Sequence, residues 1–190
     1  MKRPVSARSG IYRITLDAMF IAIFVILSMV PSTISWASLP ALVCAFLLGP
    51  GDVLAVVTIG SFIEQMGYGL SFASLVWMAP WILFGLFAGC MAALARKKEK
   101  LWKTVVIIVC AELLLSIANT AALLYFGYVN IDPSAFAQGM PLWLVTVLTY
   151  VTRMPQGILR AVLSSVVIPL LLPPLRRTLS RLGLGTSPRP

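Results

Sequence analysis

The sequence predicts an all-α membrane protein, a bundle of six transmembrane helices with both the N and the C terminus in the cytoplasm. Hydrophobic residues make up 59% of the 190-residue chain, and its mean hydropathy is +0.96. A soluble globule of this length would carry more charge. One spanning helix uses about 20 apolar residues, so six crossings account for most of the chain. We expect one membrane domain over residues 1–177 and a short cytoplasmic tail over residues 178–190.

The distribution of basic residues predicts which side of the membrane each loop occupies. Of the 15 lysines and arginines, all except Arg153 and Arg160 lie in the N-terminal tail, in the loop after helix 4 or in the C-terminal tail. With six crossings these segments share one face, as the positive-inside rule requires. The sequence therefore predicts a multi-pass protein of the plasma membrane. Its net charge of +9 indicates contact with anionic lipid and not with nucleic acid.

The first two helices end at breaks that proline and glycine introduce. Helix 1 is predicted over residues 12–30 and stops before Pro31, which has no backbone N–H to donate. Helix 2 is predicted over residues 39–48 and ends at the turn formed by residues 49–51, Gly-Pro-Gly.

One residue in helix 3 predicts a cap, and one residue in helix 4 predicts a kink. Helix 3 is predicted over residues 52–66. Asp52 is expected to cap its N terminus, because the carboxylate can accept hydrogen bonds from the first backbone N–H groups of the helix, which have no partner within it. Helix 4 follows a loop that reaches residue 73, and it ends at Ala95. Pro80 lies inside it and predicts a kink.

The basic stretch after Ala95 leads into helix 5, which is predicted over residues 101–128. A polar loop then precedes residues 142–172, which are too many for one perpendicular crossing. The first part of this segment is expected to lie across the outer surface or to join a tilted helix 6. Pro155 interrupts the pattern, and Pro169 and Pro173 with Pro174 are expected to close the helix.

Charged residues inside spanning helices need a partner or a watery cavity. Glu112 and Asn119 are seven residues apart on helix 5, and Arg153 and Arg160 are seven apart on helix 6, so each pair shares one helix face. The helices run in opposite directions, which puts Glu112 level with Arg160 near mid-membrane. We predict that these faces meet and that Glu112 and Arg160 form a structural ion pair.

Arg153 then lies nearer the outside, level with Asn119. Beside Asn119, Thr120 and Gln156 it resembles a prepared site for a carboxylate, because the planar guanidinium can donate to both oxygens. Glu64 on helix 3 is itself a candidate site residue, and a salt bridge between Glu64 and Arg153 is the alternative to ligand contact.

Aromatic residues gather on the outer half of the predicted bundle. Most of them fit the interfacial belt that normally surrounds membrane proteins. The inner boundary has fewer such rings. This asymmetry favours a pocket that opens outward and whose aromatic side chains stack on a ring of the ligand. The best candidates border the outer loops: Trp36, Tyr68, Phe72 and Trp77.

The sequence argues against catalysis. It contains no histidine, its three cysteines lack metal-ligand spacing, and it has no phosphate-binding G-x-x-x-x-G-K-[ST] motif. We therefore expect no catalytic residue, no metal and no cofactor. A membrane enzyme remains an alternative if Glu64 and Glu112 approach closely, and a structural membrane subunit is a further one.

Several segments resemble a transporter family. The first is residues 16–22, Leu-Asp-Ala-Met-Phe-Ile-Ala. The second is residues 39–42, Leu-Pro-Ala-Leu, which lead into residues 47–52, Leu-Leu-Gly-Pro-Gly-Asp. Both resemble the substrate-binding S component of energy-coupling factor (ECF) vitamin transporters. The resemblance implies that Ala18 and Ala22 pack on a transmembrane coupling subunit, which carries two ATPase subunits that use the ATP. It also implies capture of a vitamin outside, and delivery inside as the docked bundle topples.

The second half is most similar to the folate branch of that family, in Asn119-Thr120 and in residues 153–156, Arg-Met-Pro-Gln. This likeness implies rings for a pterin and a cation for the glutamate carboxylates. Residues 64–75 differ from that branch because they lack a loop rich in proline, glycine and phenylalanine. Pantothenate or another acidic vitamin is therefore the alternative ligand.

Overall fold

The protein is a bundle of six α-helices in a computed structural model that describes residues 7–30, 35–69, 71, 73–95, 100–130 and 139–181. No strand occurs in these ranges, and the predicted all-α bundle is confirmed. A short 3₁₀ helix, Ala73–Trp77, precedes the fourth α-helix. The helices are α1 (Ala7–Met29), α2 (Ser38–Leu47), α3 (Pro50–Tyr68), α4 (Met78–Ala95), α5 (Leu101–Asn130) and α6 (Leu142–Arg181).

Among the residues that the structure describes, four segments are long and apolar enough to cross a membrane: Gly10–Met29, Leu75–Ala95, Leu101–Tyr128 and Leu142–Arg181. The protein is therefore a multi-pass membrane protein. The helix α2 has only 10 residues, about 15 Å at the usual rise, and all but Leu39 are buried. A helix that is apolar on every side belongs in the interior, and α2 packs against α1, α3, α4 and α6.

Helices α1 and α3 run side by side in the same direction. Near their beginnings, the Arg13 guanidinium donates from Nε and Nη2 to the two carboxylate oxygens of Asp52, over 2.7 and 2.5 Å. Farther along, the Phe24 ring packs on Gly60, where an added Cβ would lie 2.5 Å from ring atom Cδ1. These contacts fix the register of the two helices, so α1 and α3 end together.

Helices α4, α5 and α6 each run opposite to the helix packed before them. Gly89, near the end of α4, approaches Pro50 at the start of α3, where an added Cβ would lie 2.7 Å from the Pro50 Cα. Trp77, just before α4, packs against Phe126 near the end of α5, with ring centroids 5.8 Å apart. Tyr128 Oη and Thr146 Oγ1, 3.0 Å apart, join the end of α5 to the start of α6.

Two local predictions, for the start of α3 and for Pro80 in α4, are wrong. Asp52 does not cap α3: the helix begins at Pro50, Gly49 is the N-cap without a side-chain bond, and the Asp52 carboxylate pairs with Arg13 instead. Gly49 makes this tight start possible because its φ of 139° is open to glycine but rarely to other residues. Pro80 lies in the first turn of α4, where proline is tolerated without a kink.

The helix α6 is longer than predicted. It runs without a break over 40 residues, about 60 Å, which is twice the thickness of a typical hydrocarbon core. Pro169 and Pro173 with Pro174 do not end it, and residues 178–181 are part of the helix instead of a separate tail. Each proline removes one intrahelical hydrogen bond, yet the helix continues through all of them and packs against α5 and α2. The tail over residues 182–190 lies outside the described residues.

The predicted contact between α5 and α6 is centred on the Glu112 carboxylate, which is fully buried. Arg160 Nε donates to its Oε2 over 2.5 Å, and Ser164 Oγ donates to its Oε1 over 2.9 Å. Both carboxylate oxygens are therefore satisfied inside the bundle. This is the geometry that the predicted ion pair requires, and it fixes the register of α5 against α6.

Removal of one partner from this pair should cost more than removal of both. Glu112→Ala or Arg160→Ala leaves a buried charge without compensation, and each should lower the free energy of unfolding by about 3–5 kcal/mol. The double variant Glu112→Leu/Arg160→Met replaces the pair by apolar side chains, and it should recover most of that loss. Thermal unfolding in detergent, followed by circular dichroism, measures the effect. Additive losses in the double variant would contradict this account.

Candidate ligand-binding cavity

A cavity of about 600 Å³ opens at the end of the bundle where α1 and α3 end and α4 begins. It lies away from the Arg13–Asp52 pair, which joins the beginnings of α1 and α3. Polar side chains are unusually frequent in its wall, although the outer surface of the bundle is largely apolar. The lining residues are Ser28, Ser35, Glu64, Gln65, Tyr68, Gly69, Ser71, Trp77, Trp81, Ser116, Asn119, Thr120, Phe126, Arg153, Gln156, Gly157 and Arg160.

Arg153 and Arg160 both reach this cavity, but their electrostatic surroundings differ. The Arg160 guanidinium is neutralised by Glu112. In the ranges that the structure describes, no carboxylate lies within ion-pair distance of Arg153, which is half-buried in the wall. The alternative salt bridge between Glu64 and Arg153 is therefore not formed. Arg153 offers the cavity a cation and a planar set of N–H donors.

The other polar residues expected near Arg153 line the same space. Asn119 and Thr120 reach it from α5, and Gln156 reaches it from α6. The Thr120 hydroxyl already donates to the Ser116 carbonyl over 2.8 Å. Thr120 can therefore only accept a hydrogen bond from a ligand, whereas the amides of Asn119 and Gln156 can both donate and accept.

Of the candidate site residues predicted on α3 and near the outer loops, some line the cavity and others do not. Glu64, Tyr68 and Trp77 line the cavity. Trp36 does not: it lies just before α2, where its backbone carbonyl accepts from the N–H of Leu39 over 3.1 Å. Phe72 lies outside the described residues.

Aromatic rings form one wall of the cavity. Trp77 and Phe126 are inclined to each other by 45°, and Trp81 is held edge-on between Phe24 and Phe84 with centroid distances of 4.8 and 5.9 Å. The Trp81 ring is therefore fixed by packing, while Trp77 is only half-buried. Rings placed in this way offer flat surfaces to a planar ligand.

Several lining residues were not among the predicted site residues, although periodicity could have found some of them. Phe126 follows Asn119 by seven residues, so it continues the face that contains Glu112 and Asn119. Gly157 is four residues from Arg153, on the same side of α6. By contrast, Ser28 lies near the end of α1 and Ser35 just before α2, and no spacing within the sequence connects them to α5 or α6.

The inner wall of the cavity depends on a close approach of α5 and α6. A Cβ added to Gly157 would lie 2.5 Å from Ser116 Oγ and 2.7 Å from Ser116 Cβ. A side chain at position 157 would therefore separate the two helices next to the Glu112–Arg160 pair. Within the described residues, no group of three histidine, cysteine, aspartate or glutamate side chains is placed to bind a metal.

A polar, ring-walled cavity in an apolar helical bundle defines a membrane-embedded binding protein. The chain belongs to the family of ECF transporter substrate-specific components, because the model of that family matches residues 12–172. The family is one of transporter components that bind small vitamin substrates and work with an ECF module; it is not a class of enzymes.

Solved structures have the same fold. One is ThiT from Listeria monocytogenes, with a TM-score of 0.66 and 14% identity over 85% of this chain and 96% of that one. Another is the S component for biotin from an ECF-type ABC transporter, with a TM-score of 0.62 and 15% identity over 88% of this chain and 94% of that one. No curated protein sequence matches the chain.

Gly157→Ala should destabilise the protein through the contact with Ser116. The added methyl group must push against Ser116 Cβ, which cannot rotate away, so we expect a loss of about 1–3 kcal/mol in the free energy of unfolding. Gly51→Ala is the matched control because no atom lies within 4 Å of the added Cβ. Thermal unfolding in detergent compares the two. Ser116→Gly should restore stability to Gly157→Ala, and a Gly157→Ala protein as stable as the wild type would contradict the argument.

Proposed function

We propose that this substrate-specific component captures a folate-like vitamin, a planar heterocycle with a carboxylate-bearing tail, on the outer side of the membrane and delivers it inward. The observation that carries the proposal is Arg153, a half-buried guanidinium in the wall of a 600 Å³ cavity with no acidic partner in the described structure. A buried cation without a counter-ion is costly. A ligand carboxylate would remove that cost while gaining two parallel hydrogen bonds.

The distribution of charge supports an outward-facing cavity. Lys100 and Lys103 lie at the start of α5, and Arg176, Arg177 and Arg181 lie at the end of α6. Because α5 and α6 are antiparallel, these basic residues share the end of the bundle that is remote from the cavity. Basic segments remain in the cytoplasm, so the cavity end faces the exterior.

The size and the walls of the cavity favour a folate-like molecule over a small aliphatic acid. A volume of about 600 Å³ is within the usual range for sites that enclose a ligand of drug size. The rings of Trp77 and Phe126 provide surfaces for a flat heterocycle, and Asn119 and Gln156 lie near Arg153 for the amide of a tail. Pantothenate also has a carboxylate for Arg153, but it has no ring to place against the aromatic wall.

Delivery requires partners, because the chain has no phosphate-binding loop of its own. We propose that these partners are a transmembrane coupling subunit and two ATPase subunits, which hydrolyse the ATP, as the family resemblance implies. Ala18 and Ala22 are exposed along one side of α1, together with Ile14 and Ile26. Small residues in an apolar face let another helix approach closely in a membrane.

Arg153→Ala should weaken vitamin binding without unfolding the protein. Loss of a charge-assisted hydrogen-bond pair costs about 1.5–3 kcal/mol, so the affinity for folic acid should fall about tenfold to a hundredfold. Isothermal titration calorimetry on the detergent-purified chain measures the affinity, and thermal unfolding should match the wild type. Arg160→Ala is the contrasting control because it should lose stability. Unchanged folic acid binding in Arg153→Ala, or wild-type protein that binds pantothenate and not folic acid, would contradict the proposal.

Ala18→Leu/Ala22→Leu should block assembly with the partner while it leaves vitamin binding intact. The larger side chains keep a partner helix from approaching α1, so co-purification of the coupling subunit and the ATPases should fall severalfold. Ile14→Leu, an exposed position on the same helix with nearly unchanged volume, is the matched control. Normal assembly of the double variant would show that this face of α1 is not the docking surface.

A further inference from the structure

The wall of the cavity also contains an acidic group that the Arg153 contact does not use. Glu64 lies on α3, four residues before the helix ends at Tyr68, and it lines the cavity. Its side chain is half-buried, and its Oε2 atom is buried without a hydrogen-bond partner in the described part of the chain. An acceptor in this state costs free energy until a donor reaches it.

The protein does not supply that donor within the described residues. The cations that line the cavity are Arg153 and Arg160; Arg160 is paired with Glu112, and Arg153 forms no ion pair with Glu64. Glu64 and Arg153 therefore line one cavity from different helices without neutralising each other. This arrangement matches a ligand that has donors at one end and a carboxylate at the other.

We infer that Glu64 receives the heterocyclic end of the ligand, through a ring edge with two adjacent N–H donors such as the 2-amino-4-oxopyrimidine edge of a pterin. The inference rests on the proposed function and specifies how the ligand lies: the ring is at α3 and the carboxylate tail is at Arg153 on α6. A carboxylate has two acceptor oxygens in one plane, and a turn of the Glu64 carboxylate about its last side-chain bond would bring the buried Oε2 to a planar fork of two N–H groups beside Oε1.

The surroundings of Glu64 suit a flat ring. Tyr68 follows Glu64 by one helical turn, and Trp77 and Trp81 line the same cavity. The neighbouring Gln65 is buried and also lines it, so its amide can complement the remaining ring nitrogen and carbonyl groups. A ring placed here meets hydrogen-bonding groups at its edge and aromatic surface at its faces.

The test separates the two ends of the ligand by the use of fragments. The 6-hydroxymethylpterin fragment has the ring edge and no carboxylate, and 4-aminobenzoyl-glutamate has the carboxylates and no pterin. Glu64→Gln keeps the side-chain shape but replaces one acceptor by an NH₂ group that opposes a ligand donor. Arg153→Gln is the reciprocal control at the other end. Isothermal titration calorimetry on the detergent-purified chain measures the binding of both fragments and of folic acid.

Glu64→Gln should weaken the binding of 6-hydroxymethylpterin and of folic acid about tenfold to a hundredfold, and it should leave 4-aminobenzoyl-glutamate unchanged. Arg153→Gln should do the reverse with the two fragments. Retained binding of 4-aminobenzoyl-glutamate by Glu64→Gln also shows that the variant is folded.

The failures of the inference and of the proposed function are distinguishable. If Glu64→Gln binds 6-hydroxymethylpterin as tightly as the wild type, while Arg153→Gln loses folic acid, the role of Glu64 is overturned and the carboxylate site stands. If Glu64 binds an ammonium group of a ligand instead, Glu64→Gln again leaves the binding of 6-hydroxymethylpterin unchanged. The role of Glu64 as the pterin site is then overturned as well. If the wild-type chain binds neither fragment nor folic acid, the folate-like ligand itself is overturned.

Discussion

The buried Glu112 carboxylate is the constraint on which the second half of the bundle depends. A carboxylate without exposure to solvent must be neutralised and hydrogen-bonded, and Arg160 and Ser164 on α6 do both. These bonds can form only at one alignment of α5 against α6. The same alignment brings Gly157 against Ser116 and places Arg153 two turns away from the pair, at the cavity.

The two arginines of α6 illustrate how one residue type takes two roles according to its neighbours. Arg160 reaches the cavity, but its charge is used to hold two helices together. Arg153 occupies the same wall seven residues earlier and has no acidic partner among the described residues. Charge inside a membrane is expensive, so an arginine that the fold does not neutralise is the basis of the proposed ligand contact.

The first half of the chain builds the rest of the cavity by close packing. Gly60 and Gly89 let α1, α3 and α4 approach within van der Waals contact, and the buried α2 fills the space between them. As a result the ends of α1 and α3 and the start of α4 converge on one side of the bundle. Glu64, Trp77 and Arg153 thereby line one cavity, although they are far apart in sequence.

The sequence by itself determined the all-α class of the fold and the pairing of Glu112 with Arg160. Long apolar runs and a seven-residue spacing are local properties, and each has a single structural consequence in a bilayer. It also indicated Asn119, Thr120, Gln156 and Arg153 as one group, because the faces of α5 and α6 that contain Asn119 and Arg153 were expected to meet at one depth.

Only the tertiary structure decided which groups remain unpaired and which face the cavity. Asp52 resembled a helix cap until Arg13 on another helix met its carboxylate, and the prolines of α6 resembled stops until packing against α5 and α2 carried the helix past them. The separation of Glu64 from Arg153, and the absence of Trp36 from the cavity wall, depend on how α2, α3 and α6 are arranged in space. Local sequence cannot specify such long-range geometry, because it arises from the packing of the whole bundle.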